Sequence, residues 1–217
     1  MIHKINGLKF PDEYIIKFFF NEKLERKKGK VLELGCGNGN NLSLFSSYNW
    51  KTLGVDNSKM NIKNATKNFN LYSSKNKKFT FLCSDMLKYL LSIKKIDSDV
   101  VILCNSIYYQ HYDDIISTLN LLKLKTKKST LFFFRVRLNN DTRKMLSKKI
   151  YNNTYKLKKN ITNEKGAIIT FFEPKKFLNI LQNIFKTSKI SYLKNGGENF
   201  LKKKIVFNSD LILWFKS

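Results

Sequence analysis

An apolar run that breaks into alternating glycines, Val31-Leu32-Glu33-Leu34-Gly35-Cys36-Gly37-Asn38-Gly39, constrains this chain more than any other feature. Such a run reads as a strand buried on both faces, as in a parallel sheet. Glycines directly after it let the backbone turn sharply and lie against a ligand with no Cβ in the way. A helix-like segment follows, so its first amides would point at a polar group seated in the turn. The natural occupant of such a loop is a nucleotide-like cofactor.

Alternation continues along the chain. Pro11 to Phe20 reads as an opening helix, with Asp12 and Glu13 where the helix dipole favours acids. Strands are expected at 31–34, 50–55, 79–83, 99–104 and 131–136. The intervening helices fall at about 40–48, 58–70, 86–92 and 113–123. A last helix spans 173–185, and two closing strands near 189–193 and 210–215 flank a turn at Gly196-Gly197. This order predicts an α/β sheet whose ligands sit at the carboxyl ends of its strands. With 217 residues and no Pro/Gly/Ser-rich linker, residues 1–217 are expected to form a single domain. Leu138 to Thr170 lacks periodicity, which suggests a lid or substrate-recognition insert over 138–170.

Dinucleotide sites carry G-x-G-x-x-G, whose third glycine would fall at position 40; that residue is Asn40, and Gly39 comes one position early. The departure weakens a dinucleotide reading. The stretch V-L-E-L-G-C-G-N-G instead resembles motif I of the class I S-adenosylmethionine-dependent methyltransferases. Further landmarks follow in order across roughly residues 10–137. Asp56, in Leu53-Gly54-Val55-Asp56-Asn57-Ser58, matches the family's acid for the cofactor ribose, a role that suits a carboxylate able to accept two bonds. Asp85, in Cys83-Ser84-Asp85-Met86, matches the acid that reads the adenine amino group, with Met86 against the ring. Asn105, closing Asp99-Val100-Val101-Ile102-Leu103-Cys104, matches the position beside the transferred methyl. The resemblance implies a Rossmann-like seven-stranded mixed sheet with helices on both faces and Asp210–Phe215 as its antiparallel strand. It implies S-adenosyl-L-methionine as cofactor, held by Tyr14, Glu33, Gly35, Cys36, Gly37, Asn38, Asp56, Asn57, Ser84, Asp85, Met86 and Asn105. No metal is implied.

Methyl transfer to a hydroxyl needs alignment, exclusion of water and removal of a proton. In Asn105-Ser106-Ile107-Tyr108-Tyr109-Gln110-His111 the candidate base is His111, because an imidazole titrates near neutrality. Tyr108 joins it as a catalytic candidate, and Tyr109 as a pocket wall. The Asp/Asn-Pro-Pro-Tyr/Phe motif of adenine methylation is not matched here, since no proline follows Asn105. Arginine occurs at only four positions, 26, 135, 137 and 143, in a lysine-saturated chain. Arg135, Arg137 and Arg143 therefore suggest a need for the planar fork, either for a substrate phosphate or carboxylate or for an internal ion pair. Pro11-Asp12-Glu13-Tyr14 with this arginine-bearing strand also resembles bacterial methyltransferases of surface-glycan modification. The expectation is O-methylation of a small, anionic, phosphorylated or nucleotide-linked metabolite.

The formal charge of +25 would ordinarily point to nucleic acid. The lysines are scattered, however, and runs such as Lys75–Lys78 and Lys202–Lys204 read as solvated turns. An RNA or protein methyltransferase is thus the enzymatic alternative, and a non-catalytic cofactor-binding subunit the other. No apolar stretch nears the roughly 18 residues of a membrane span, the start lacks the apolar core of a secretory signal, and three cysteines show no CxxC pairing. A cytoplasmic setting fits these features best.

Overall fold

A computed structural model describes residues 2–72, 78–160, 162–201 and 204–217. Most of the two lysine runs, at 75–77 and 202–203, lies outside the described residues. The strands are β1 (Lys30–Leu34), β2 (Lys51–Asp56), β3 (Phe79–Cys83), β4 (Val100–Cys104), β5 (Leu131–Arg137), β6 (Ser147–Tyr151), β7 (Thr154–Leu157), β8 (Ile168–Thr170), β9 (Ile190–Leu201) and β10 (Lys204–Lys216). The helices are α1 (Glu13–Asn21), α2 (Asn40–Ser47), α3 (Lys59–Tyr72), α4 (Met86–Ser92), α5 (Tyr112–Lys125), α6 (Thr142–Met145) and α7 (Pro174–Phe185).

Seven strands form one sheet in the order β3-β2-β1-β4-β5-β10-β9. β1 to β5 pair in parallel, and β10 runs antiparallel to both β5 and β9. Successive residues of the central strands supply opposite faces, which is why both must be apolar. Val101, Leu103, Phe132 and Phe134 pack under α4, α5 and α7 through Leu90, Ile115, Leu119, Phe177 and Phe185. Val100, Ile102, Cys104 and Phe133 pack on the other side against Ile15, Phe18 and Phe19 of α1, Phe45 of α2 and Phe69 of α3. This is the Rossmann-like seven-stranded sheet with helices on both faces that the sequence implies. The strand order reverses between β1 and β4, so the loops after these two strands diverge and open a crevice.

Two expectations are corrected. Gly196-Gly197 is not a turn: both residues lie inside β9, Gly196 opposite Ser209 and Gly197 opposite Asn208. The Phe207 ring covers Gly196, and a Cβ there would come within 2.9 Å of it. A close-packed aromatic thus accounts for a glycine that local reading assigns to a turn. The 138–170 segment is not irregular either. Its β6, β7 and β8 form a separate antiparallel sheet. Thr154 and Thr170 pair through their hydroxyls, and they tie that sheet to the loop after β4 by bonds from Tyr112 N (3.1 Å) and to Gln110 O (2.8 Å).

Candidate functional site

The crevice at the carboxyl ends of β1, β2 and β4 forms two lobes that share Gly35 and Asn105. One lobe, of 390 Å³, is walled by Asp56, Asn57, Ser84, Asp85, Met86, Ser106, Tyr109 and Gln110. The other, of 400 Å³, is walled by Leu8, Phe10, Pro11, Asp12, Glu33, Cys36, Gly37, Asn40, Asn41 and Cys104. Their division follows from the glycine loop. Gly35 has φ +77°, and a Cβ on it would sit 2.3 Å from the Cβ of Ser106. The Ser106 hydroxyl in turn donates to Leu34 O at 2.6 Å. Only a glycine lets the loops after β1 and β4 approach this closely.

Each strand end delivers one polar side chain. Asp56, the last residue of β2, accepts from Gly37 N (2.9 Å) and Ser58 N (2.9 Å), and from Asn61 Nδ2 at 3.1 Å. These bonds fix its carboxylate against the glycine loop and leave part of its acceptor capacity for a ligand. Asp85 caps α4, taking Leu87 N and Lys88 N on Oδ1 alone. Asn105 ends β4 with φ +54°, a left-handed conformation that few non-glycine residues hold without strain.

Glu33 is the unusual member. It is 1% exposed, and Oε1 accepts from Asn41 Nδ2 at 2.7 Å while the buried Oε2 has no hydrogen-bond partner. Burial pushes its carboxyl up to about 8, against a smaller lowering by the Asn41 bond. An unsatisfied buried carboxylate oxygen on a cavity wall is a place for a cationic donor. Burial also raises the Cys36 and Cys104 thiols, so neither is a thiolate at neutral pH.

The expected cofactor residues Glu33, Gly35, Cys36, Gly37, Asp56, Asn57, Ser84, Asp85, Met86 and Asn105 all line the two lobes. Tyr14 and Asn38 do not. Tyr14 is buried on α1 beneath the Arg135 guanidinium, 5.2 Å from its ring centre. The Asn38 side chain packs on Gly7, where a Cβ would meet its Nδ2 at 2.0 Å. Sequence reading missed Asp12, Asn41 and Gln110. Asp12 was legible only as a helix-start acid. It caps α1 through Oδ1 and takes Arg135 Nη1 on Oδ2, while the residue lines the second lobe.

The catalytic candidates fare differently. His111 occupies the N-cap of α5, is exposed, and lines neither lobe. Tyr108 is fully buried behind the wall, its hydroxyl accepting from Arg137 Nη2 at 3.2 Å. Of the three, Tyr109 alone reaches the crevice, and its hydroxyl donates to Glu164 in the loop between β7 and β8. The wall thus carries no imidazole among the described residues.

The arginines hold one another's neighbours rather than an open grip. Arg135 reaches Asp12 at 2.5 Å and Asp210 at 2.6 Å. Arg137 lies 2.9 Å from Asp210 and 3.4 Å from Asp141. Arg143 pairs with Asp141 at 3.2 Å and donates to Glu164 at 2.6 Å and to Asn208 at 2.7 Å. Three guanidiniums therefore face four carboxylates of the same chain. The two-residue spacing did place Arg135 and Arg137 on one face of β5, but β10 brings Asp210 to that face and satisfies them. Of the two expected kinds of partner, the internal ion pair is the one seen.

A family model described as "Methyltransferase domain" matches residues 9–184. No curated protein matches by sequence. Solved structures share the fold at low identity. TehB from Haemophilus influenzae superposes with a TM-score of 0.69 at 13% identity, over 99% of this chain and 65% of that one. A SAM-dependent methyltransferase of Methanosarcina mazei gives 0.67 at 14%, over 94% and 98%. The Burkholderia thailandensis 1,6-didemethyltoxoflavin-N1-methyltransferase, with bound 1,6-didemethyltoxoflavin and S-adenosylhomocysteine, gives 0.61 at 11%, over 93% and 76%.

Proposed function

The chain belongs to the methyltransferase-domain family, as a class I S-adenosylmethionine-dependent enzyme, and from that premise we propose that it methylates a small acceptor at an acidic oxygen. The observation that carries the reading is the two-lobed crevice meeting at Asn105. Asp56 would hold the ribose hydroxyls, and Asp85 with Met86 the adenine. Glu33 Oε2, buried and unpaired, suits the ammonium of the methionine moiety. When bound there, the cofactor supplies an electrophilic methyl on a sulfonium.

The chain's own task is then alignment and exclusion of water. Tyr109, Gln110 and Asn105 bound the acceptor's approach from one lobe, Leu8, Phe10 and Pro11 from the other. The titratable walls are Asp12, Glu33, Cys36, Asp56, Asp85, Cys104 and Tyr109. Both thiols and Tyr109 are held protonated by burial, and Asp12 is committed to Arg135. Proton removal from a neutral alcohol thus has no ready base, whereas a carboxylic acid or acidic hydroxyl loses its proton to water beforehand. Free thiols at Cys36, Cys83 and Cys104 agree with a reducing cytoplasm, and no helix among the described residues is long and apolar enough to cross a membrane.

Radiolabelled methyl transfer from S-adenosylmethionine to a panel of carboxylates, phenols, aliphatic alcohols, amines, sugar nucleotides, phosphorylated sugars and RNA tests this. Label on acidic oxygens, at rates that follow the acceptor's own ionisation, supports it. Label confined to amines or RNA overturns it. The sugar-nucleotide and phosphorylated arms test the surface-glycan expectation separately.

A further inference from the structure

The edge strand β9 carries a self-complementary pattern. It spans Ile190–Leu201, pairs with β10 on one side, and is exposed at Tyr192, Lys194 and every residue from Gly196 to Phe200. Its length is unusual for an uncovered edge, since natural sheets blunt such edges with charges, bulges or short strands. Its partner strand β10 is firmly held. Phe207 N donates to Thr142 Oγ1 at 2.8 Å, Ser209 N to Asp141 at 3.0 Å, and Arg143 to Asn208 at 2.7 Å. The anchored β10 thus presents β9 as a rigid template.

We propose that two copies of this chain associate through β9, antiparallel about a two-fold axis at Gly196, to form one continuous sheet. The register follows from the residues. Over 190–201 the only charges are Lys194 and Glu198. An axis at Lys194 would set lysine against lysine, and one at Glu198 glutamate against glutamate. An axis at Gly196 sets each Lys194 opposite the partner's Glu198. The same axis sets Tyr192, 55% exposed, opposite the partner's Phe200, 74% exposed. Both matches are made twice by symmetry, as an isologous contact requires. All four residues lie an even number of positions from the axis, so they share one face of the strand. Cross-strand opposite-charge and aromatic pairs are the stabilising units of a sheet, and like charges directly opposite are destabilising. Gly196 and Gly197 add no side chain of their own at the centre, where the Phe207 ring of β10 lies over Gly196.

Sedimentation equilibrium of the full chain tests this at physiological ionic strength, where the +25 charge of each copy is screened beyond about 8 Å. A monomer–dimer equilibrium is expected. K194E and E198K each convert two attractive pairs into two repulsive ones and should weaken the dimer by about tenfold or more. The double variant K194E/E198K restores the pairing and should return the constant to within about threefold of wild type. Because both positions are exposed, unchanged circular dichroism serves as the folding control. A monomer at all concentrations up to about 0.5 mM overturns the proposal. So does a dimer that the single reversals leave unchanged, or one that the double variant fails to restore.

Discussion

Glu33 and Asn41 share one buried hydrogen bond of 2.7 Å, and it satisfies only half of the carboxylate. The unfolded carboxyl ionises near 4.5, whereas the folded one stays protonated up to about 8. Between those values the unfolded state holds fewer protons, so ligand-free stability falls as pH rises. A cofactor ammonium at Oε2 would favour the ionised form and expel that proton. Cofactor affinity should therefore rise as pH approaches about 8, where half of the free sites are ionised, with proton release below that pH visible as a buffer-dependent binding enthalpy. Glu33→Gln should abolish the pH dependence.

Asp56 joins the end of β2 to the glycine loop through Gly37 N. Removing the carboxylate takes away both the loop's anchor and the proposed ribose contact, each a charge-assisted bond. Asp56→Ala should weaken cofactor binding by roughly tenfold to a hundredfold. Equilibrium titration measures it, and an unchanged constant would remove Asp56 from the site.

His111 follows the wall residue Gln110 but does not itself line the crevice. His111→Ala should leave kcat within about twofold of wild type with an active acceptor. Tyr108→Phe should cost about 1 to 2 kcal/mol of stability, through the lost partner of Arg137, without moving the pH–rate profile. A large fall in kcat for His111→Ala would restore the imidazole as base.

Asp210 is fully buried and serves both Arg135 and Arg137. Asp210→Ala removes the carboxylate shared by two guanidiniums, leaving Asp12 to Arg135 and Asp141 to Arg137, and should destabilise the fold by about 3 kcal/mol. For a chain of this size that is roughly a 10 °C loss of thermal midpoint. Thermal unfolding decides the point, and a shift of only a degree or two would mean that the network contributes little.

The sequence disclosed what short-range pattern determines. Burial on both faces marks β1 and β4 as apolar runs, and the ends of β1, β2 and β3 each meet a residue whose type suits a ligand: Gly35, Asp56 and Asp85. The arginine network was not legible in the same way. Asp12 and Asp210 lie 123 and 75 residues from Arg135, and only the folded sheet brings them together. Gly196-Gly197 misled because a glycine under an aromatic ring has the same local signature as a glycine in a turn. His111 is read from a position that serves equally as a helix cap, and local sequence does not separate the two roles.

The crevice at Gly35 and Asn105 is the proposed seat of S-adenosylmethionine. Isothermal titration of the purified chain with S-adenosylmethionine, S-adenosylhomocysteine and NAD, repeated with Asp56→Ala, tests it most directly. Micromolar one-to-one binding of the two adenosyl compounds, weakened in the variant, is expected, with no comparable binding of NAD. Tighter binding of NAD, or no binding of either adenosyl compound by the folded protein, would contradict it.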